Sequence, residues 1–366
     1  MILTLAASAA FACGGFVPTA GALAASDAQQ ALFDLGESSI TVTYRARYEG
    51  NAADFAWVLA VPGTITLVEE GDEALLDDIE ATSAPQVELD PDIGTETGCG
   101  CEGDAKAGSD GRNFSDTGDS GIEITGHGYA GGYEYTTLAA SDADSLVTWL
   151  TDHSYDVSLI QASIEAYVAD PIGFEFVAVQ LTPEVAQTAN GGVEIDPLAI
   201  TYGAGDDGAL HALFPATLGV TSSVDYVRTE IFVLGSGTAT LSGWEAVANP
   251  DTVPGDVVAP DYIDPEGMYQ SLLLSHGDTE RKMWLAWSGA YTTPAGDRWL
   301  TRYDAMVTPA TNTVDPVFAD SSDKTEAETI LYIMEEGNYQ ESYPGGAWGV
   351  VGLLSLWGLR RASKKK

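Results

Sequence analysis

Residues 40–48, ITVTYRARY, alternate without a break: Ile40, Val42, Tyr44, Ala46 and Tyr48 fall on one side, Thr41, Thr43, Arg45 and Arg47 on the other. Such a period of two predicts a half-buried strand. After the turn-like EGNAAD, residues 55–62 (FAWVLAVP) are apolar at nearly every position. They read as a second, more fully buried strand, expected to pair with the first as a hairpin. GDEALLDDIEATSAP then sets Leu75, Leu76 and Ile79 on one face of a short acidic helix that stops before Pro85. Strands are expected again at 122–125 (IEIT) and 133–138 (YEYTTL). Ser141 with Asp144 resembles a capping box opening a helix that carries Leu146, Val147, Trp149 and Leu150. A second helix is expected over 159–169, LIQASIEAYVA. FEFVAVQL (174–181), LAITY (198–202), DYVRTEIFVL (225–234), KMWLAWSG (282–289) and DRWLTRYDAMV (297–307) supply further strands. Together they predict an α+β fold: mainly antiparallel β-sheet with a few short helices, two of which pack centrally on the sheet.

Three stretches break this pattern. Residues 86–121 shift to Gly, Asp, Ser and Thr and read as a loop insertion, and 249–265 hold four prolines and read as a linker. An acidic stalk is expected to lead to about residue 342. The chain shows no internal repeat.

The two ends differ from everything between them. MILTLAASAAFAC opens on an apolar run and the small-x-small pattern Ala10-Phe11-Ala12, so residues 1–12 read as a signal peptide cut by signal peptidase between Ala12 and Cys13. No Lys or Arg precedes Arg45, unlike a usual export signal, which leaves room for a start further upstream. Small residues also precede lipid-modified cysteines; cleavage without lipid is the reading adopted for Cys13. At the other end, 343–366 read YPGGAWGVVGLLSLWGLRRASKKK. Ala347–Leu359 carry no charge and would reach about 20 Å as a helix, short for a hydrocarbon core of about 30 Å but workable with snorkelling and local thinning. Trp348, Leu353, Leu354 and Trp357 are spread around every face, and Arg360 and Arg361 open a basic cluster. A C-terminal transmembrane helix is therefore expected, with the basic end in the cytoplasm and residues 13–342 outside it. This ending resembles the tripartite C-terminal sorting signals of bacterial envelope proteins. Its Gly345-Gly346 pair is similar to the double-glycine variety, which implies cleavage near the glycines by a rhomboid-type protease.

Charge reinforces the division. The formal charge is −40, and the five tail cations leave ten basic against 55 acidic residues, so residues 1–342 carry −45. Such a body repels nucleic acid and anionic lipid. Because the acids are spread along the chain, they read as adaptation to high salt rather than as a cation site. SDGRNFSDTGDSG at 109–121 has a calcium loop's composition in the wrong order, which leaves only weak calcium binding open and no cofactor implied.

Motifs for catalysis do not hold together. Gly118-Asp119-Ser120-Gly121 matches a trypsin-like nucleophile, but His127, His153, His211 and His276 all follow it, against that fold's order. Gly126-His127-Gly128-Tyr129-Ala130-Gly131 fits a dinucleotide loop, yet strand-like residues follow where a helix is required, so it reads as a glycine-rich hairpin turn. Cys99 and Cys101 are too close for an unstrained bridge, and an exported chain suggests Cys13 paired with one of them. Acid pairs such as Glu69-Glu70 and Asp206-Asp207 are expected by chance among 55 carboxylates. Arg302, between Leu300 and Tyr303 in so acidic a chain, is expected to pair with a carboxylate inside the fold.

ACGGF (12–16), YEGNAADFAWVLAVPG (48–63), LVTWL followed by GFEFVAVQL, DPLAITY, WLTRYDAMVTP and DPVF (315–318) occur in an order that resembles a bacterial secreted family, domain of unknown function 2330. The resemblance implies export and carries no activity. The expected function is thus a sorted or membrane-anchored cell-envelope protein that binds a partner or cation or serves structurally, without catalytic residues. The alternative is an extracellular hydrolase acting on polymer through carboxylates and His127, or through clefts around Trp284, Trp287 and Trp299. Those tryptophans are read as core.

Overall fold

The computed structural model describes residues 15–16, 28–48, 56–84, 86–89, 121–182, 193–194, 196–221, 227–247, 281–307, 312–328, 330–334 and 358–362. In chain order the elements begin with β1 (Gly15–Phe16), β2 (Ala28–Leu35), β3 (Ile40–Tyr48), β4 (Ala56–Val61), β5 (Ile65–Glu70), α1 (Glu73–Ser83) and β6 (Gln86–Leu89). Next come the hairpin β7 (Ile122–Ala130) and β8 (Tyr133–Ala140), α2 (Ala143–Asp152), α3 (Gln161–Ala169), β9 (Glu175–Leu181), β10 (Val193–Glu194), β11 (Leu198–Tyr202) and β12 (Ala212–Leu213). A 3-10 turn at Ala216–Thr221 precedes β13 (Val227–Gly235), β14 (Thr240–Ser242), β15 (Glu245–Val247), β16 (Lys282–Thr293) and β17 (Gly296–Val307). The last are β18 (Val317–Ala319), β19 (Ala327–Glu328), β20 (Ile330–Met334) and β21 (Gly358–Ala362).

Two sheets lie face to face. The smaller is antiparallel throughout, in the order β1-β4-β9-β8-β7; the larger runs β15-β16-β17-β13-β2-β3-β11-β5, with β10 on β3 and β19 on β16. Within the larger sheet β2 and β13 are parallel, as are β15 and β16, so the expectation of antiparallel sheet holds for most pairs but not these two. Between the sheets sit Phe33, Val42, Tyr44, Ile200, Ile231 and Tyr303 from one, and Trp57, Leu59, Tyr133, Val177 and Val179 from the other. The smaller sheet's outer face, with Val58, Ala60, Leu138 and Phe176, is covered by Leu146 and Leu150 of α2 and Ile164 and Tyr167 of α3. On the larger sheet's outer face, α1 covers Leu32, Phe232, Leu234 and Leu300 with Leu76 and Ile79. The result is four layers: two helices, sheet, sheet, one helix.

Several expectations are corrected. β4 does not pair with β3 but lies between β1 and β9 in the other sheet. Trp57 and Leu59 face one core while Val58 and Ala60 face the other, and a strand apolar on both sides needs cover on both. The polar side of β3 is enclosed at Thr43 and Arg45, where Arg45 meets α1, but it offers no apolar surface to a second core. Asp142, not Ser141, caps α2, accepting from the Ser145 amide at 2.8 Å, while Ser141 donates to the Gly121 carbonyl. The glycine-rich motif is mostly strand: the turn is Gly131-Gly132, and Gly126 and Gly128 lie within β7. A Cβ at Gly128 would sit 2.8 Å from the Tyr135 hydroxyl across the hairpin, so that glycine makes room for an aromatic ring. Residues 312–328 are not a stalk, because Phe318 of β18 is buried between the main sheets. β2 and β5, for which no element is expected from the pattern above, are both strands of the larger sheet.

Among the described residues no helix is long and apolar enough to cross a membrane. Residues 358–362, the expected end of the apolar tail with Arg360 and Arg361, form strand β21, antiparallel to β20. Ala12, Cys13, Cys99, Cys101, Gly345, Gly346, Trp348, Leu353, Leu354 and Trp357 lie outside the described residues, as do 90–120 and the 249–265 linker.

Candidate functional site

The most unusual chemistry among the described residues is a row of polar side chains on the outer face of the larger sheet. Strand register sets it. Asp304 of β17 stands opposite Glu230 of β13, Glu230 beside Gln30 of β2, and Gln30 opposite Arg45 of β3. Arg302, one step along β17, donates through its guanidinium to Glu230 and, at 2.8 Å, to Asp304, and lies 5.4 Å from the Phe232 ring centre. Arg228 also donates to Glu230. Gln30 donates to Glu230 at 2.6 Å and accepts from Arg45 at 2.7 Å. Arg45 then reaches α1, donating to Asp77 at 2.5 Å and Glu80 at 2.6 Å. One connected network therefore crosses four neighbouring strands and ends on the helix that covers them.

These groups are withdrawn from solvent: Arg302 and Asp304 are each 1% exposed and Glu230 is 3%. Burial pushes the Glu230 carboxyl up, but the Arg302 and Arg228 charges and the bonds from Gln30 and Arg228 outweigh it, leaving it below its ordinary value. Charges so enclosed meet one another rather than solvent. They also fix register, since a one-residue slip of β13 or β17 would drive Glu230 or Arg302 into the apolar layer between the sheets. The expected burial of Arg302 with a carboxylate is what the structure shows. Asp304, two residues along the same strand, is a local partner, whereas Glu230, 72 residues away, had no local signal.

A second, half-buried polar group ties the helical layer to the small β12-β18-β14 sheet. Asp315, just before β18, accepts from the Thr217 amide at 2.7 Å and the Tyr167 hydroxyl at 2.5 Å. Tyr167 belongs to α3 and Thr217 to the 3-10 turn, so one carboxylate joins three segments. Burial is the largest influence on Asp315 and lifts its pKa to about 6 against the pull of these donors. Sequence reasoning missed this group: DPVF marks the position without indicating its partners.

Other polar groups lie nearer the solvent. His127 of β7 and Glu134 of β8 lie 3.1 Å apart, each about a third exposed, with the Tyr129 ring 6.2 Å from the imidazole. His153 stacks on Trp149 at the end of α2, and His211 bonds to Asp207 in a turn. Glu69 and Glu70 lie side by side in sequence on edge strand β5. Trp284 and Trp299 are buried and Trp287 packs partly buried beneath α1, so the three tryptophans line core rather than a cleft. Among the described residues no three His, Cys, Asp or Glu side chains are arranged to hold a metal ion. The 109–120 segment that suggested calcium lies outside them.

The fold and its charge network define a layered α+β sandwich stabilised by enclosed ion pairs. The chain belongs to a bacterial family described as an uncharacterized protein conserved in bacteria (DUF2330), whose model matches residues 6–223. No curated protein matches it. Among solved structures it is similar to the crystal structure of baculovirus P35, with a TM-score of 0.36, 8% identity, and 81% of this chain and 97% of that one covered. It is also similar to the crystal structure of the caspase-8/P35 complex, with a TM-score of 0.29, 10% identity, and 82% and 95% covered. At these scores neither likeness bears on fold or function.

Proposed function

We propose that this chain is an exported cell-envelope protein, delivered by cleavage after Ala12 and held at, or sorted through, the membrane by residues 343–366. Its acidic body, 13–342, serves as a binding or structural module rather than a catalyst. One observation carries this reading: thirteen uncharged residues, Ala347–Leu359, follow Gly345-Gly346 and precede five of the chain's fifteen cations. An apolar run closed by Arg and Lys suits a membrane whose cytoplasmic face retains the cations. The glycine pair suits a sorting protease, because glycine resists helix and leaves the peptide bond accessible. Membrane entry requires residues 358–362 to leave their pairing with β20. The −45 charge of the body supports an exterior kept hydrated in salt. The network around Arg302 supports a structural use for its central charges, since Arg302, Asp304 and Glu230 are each 3% exposed or less.

The test is fractionation of native cells with mass spectrometry of the mature protein, alongside a chain ending at residue 342. The full chain should sediment with membranes or appear outside the cell with a C-terminus near Gly345-Gly346, and its N-terminus should be an unlipidated Cys13. The shortened chain should be soluble outside the cytoplasm. A full chain recovered from the cytosol with Met1 and Lys366 intact refutes the reading.

A further inference from the structure

We propose an internal water site between the two main sheets, held by Gln29 and Thr229. Register places these residues side by side on the parallel strands β2 and β13. Alternation along β2 turns Gln30 outward to Glu230 and sends Ala31 and Phe33 inward, so Gln29 shares the inward face. On β13, Glu230 likewise faces outward while Ile231 and Val233 face the core, and Thr229 lies on their side. Gln29 is 4% exposed and Thr229 is 0% exposed. Neither amide atom of Gln29 nor the Thr229 hydroxyl has a hydrogen-bond partner among the described residues.

Enclosed polar atoms are costly when left unpaired, and a Gln side chain in an apolar layer is not explained by packing, which Leu or Met would serve better. The neighbours are small: Ala305 stands opposite Thr229 on β17, and Ala31 is the next inward residue on β2. The amide oxygen accepts, the amide nitrogen donates and the hydroxyl does either, which gives the three partners typical of a buried water. A water here bridges the central parallel pair of the larger sheet, opposite the face where the ionic row crosses the same two strands. It differs from that row in being neutral, so it adds a hydrogen-bonded cross-link without further charge.

A crystal structure of the full chain at about 1.5 Å tests the site directly. The expected result is one compact density peak within hydrogen-bonding distance of the Gln29 amide and the Thr229 hydroxyl. A Gln29 amide turned to solvent, no peak, or density larger than a water overturns the proposal. A second test is a double-mutant cycle with Gln29→Leu, Thr229→Val and the pair, read by urea unfolding. A shared water makes the effects non-additive by about threefold or more in the unfolding equilibrium constant. Strictly additive effects overturn it.

Discussion

Replacing Arg302 with Met tests whether the buried row holds the larger sheet together. Met keeps much of the side-chain volume, but removes the donors to Glu230 and Asp304 and the guanidinium charge over the Phe232 ring. Those carboxylates stand directly opposite one another on β13 and β17, so the variant leaves two like charges facing each other in a dry layer, with Arg228 and Gln30 still bonded to Glu230. Removing one partner of a buried ion pair costs about 3–5 kcal/mol. Arg228 and Gln30 relieve part of that at Glu230, so about 3 kcal/mol is expected at pH 7. The pH dependence has a definite sign. In the native protein Glu230 lies below its unfolded value, so its stabilisation is present above that value and is lost as pH falls. In Arg302→Met Glu230 loses the charge that does most to hold its carboxyl down, protonation relieves the facing pair, and the deficit relative to native protein shrinks at about pH 4.5. Urea unfolding at the two pH values measures it, provided the slope with denaturant is unchanged. A loss under about 1 kcal/mol at both pH values refutes the claim that the row is an essential strut.

Asp315 gives the opposite trend. Its folded pKa of about 6 exceeds its ordinary 3.8, so its contribution is fully present below the unfolded value and is lost as pH rises through about 6. Two units correspond to at most about 3 kcal/mol. Asp315→Asn should therefore flatten the stability profile between pH 4.5 and 7.5, as followed by urea midpoints across that range. Gly128→Val places a branched side chain where a Cβ already lies 2.8 Å from the Tyr135 hydroxyl. A loss of about 1–3 kcal/mol is expected in thermal unfolding, and Tyr135→Ala in the same background should recover part of it.

Much of the secondary structure was readable because it is local. Alternation over 40–48 and 198–202 coincides with β3 and β11, and the spacing of Leu76 and Ile79 marks the buried side of α1. The same periodicity says nothing about partners. The partner of β4 is not legible locally, because a continuous apolar run tells how many faces are covered, not which strand lies beside it. β2 carries no clean signal in the sequence: Ala31 and Phe33 alternate with Gln30 and Asp34, but Leu32, buried on the outer face, breaks the polar side.

For function, the sequence by itself determined the contrast between an acidic body and an apolar, basic tail, and the burial of Arg302 that scarcity of cations made predictable. Tertiary structure alone decided that Arg302 meets Glu230, that Gln30 passes the contact on to Arg45, and that Asp315 closes on Tyr167 across 148 residues. Such meetings depend on which strands become neighbours and in what register. Those choices follow from covering apolar faces across the whole chain, and no short window of sequence contains them.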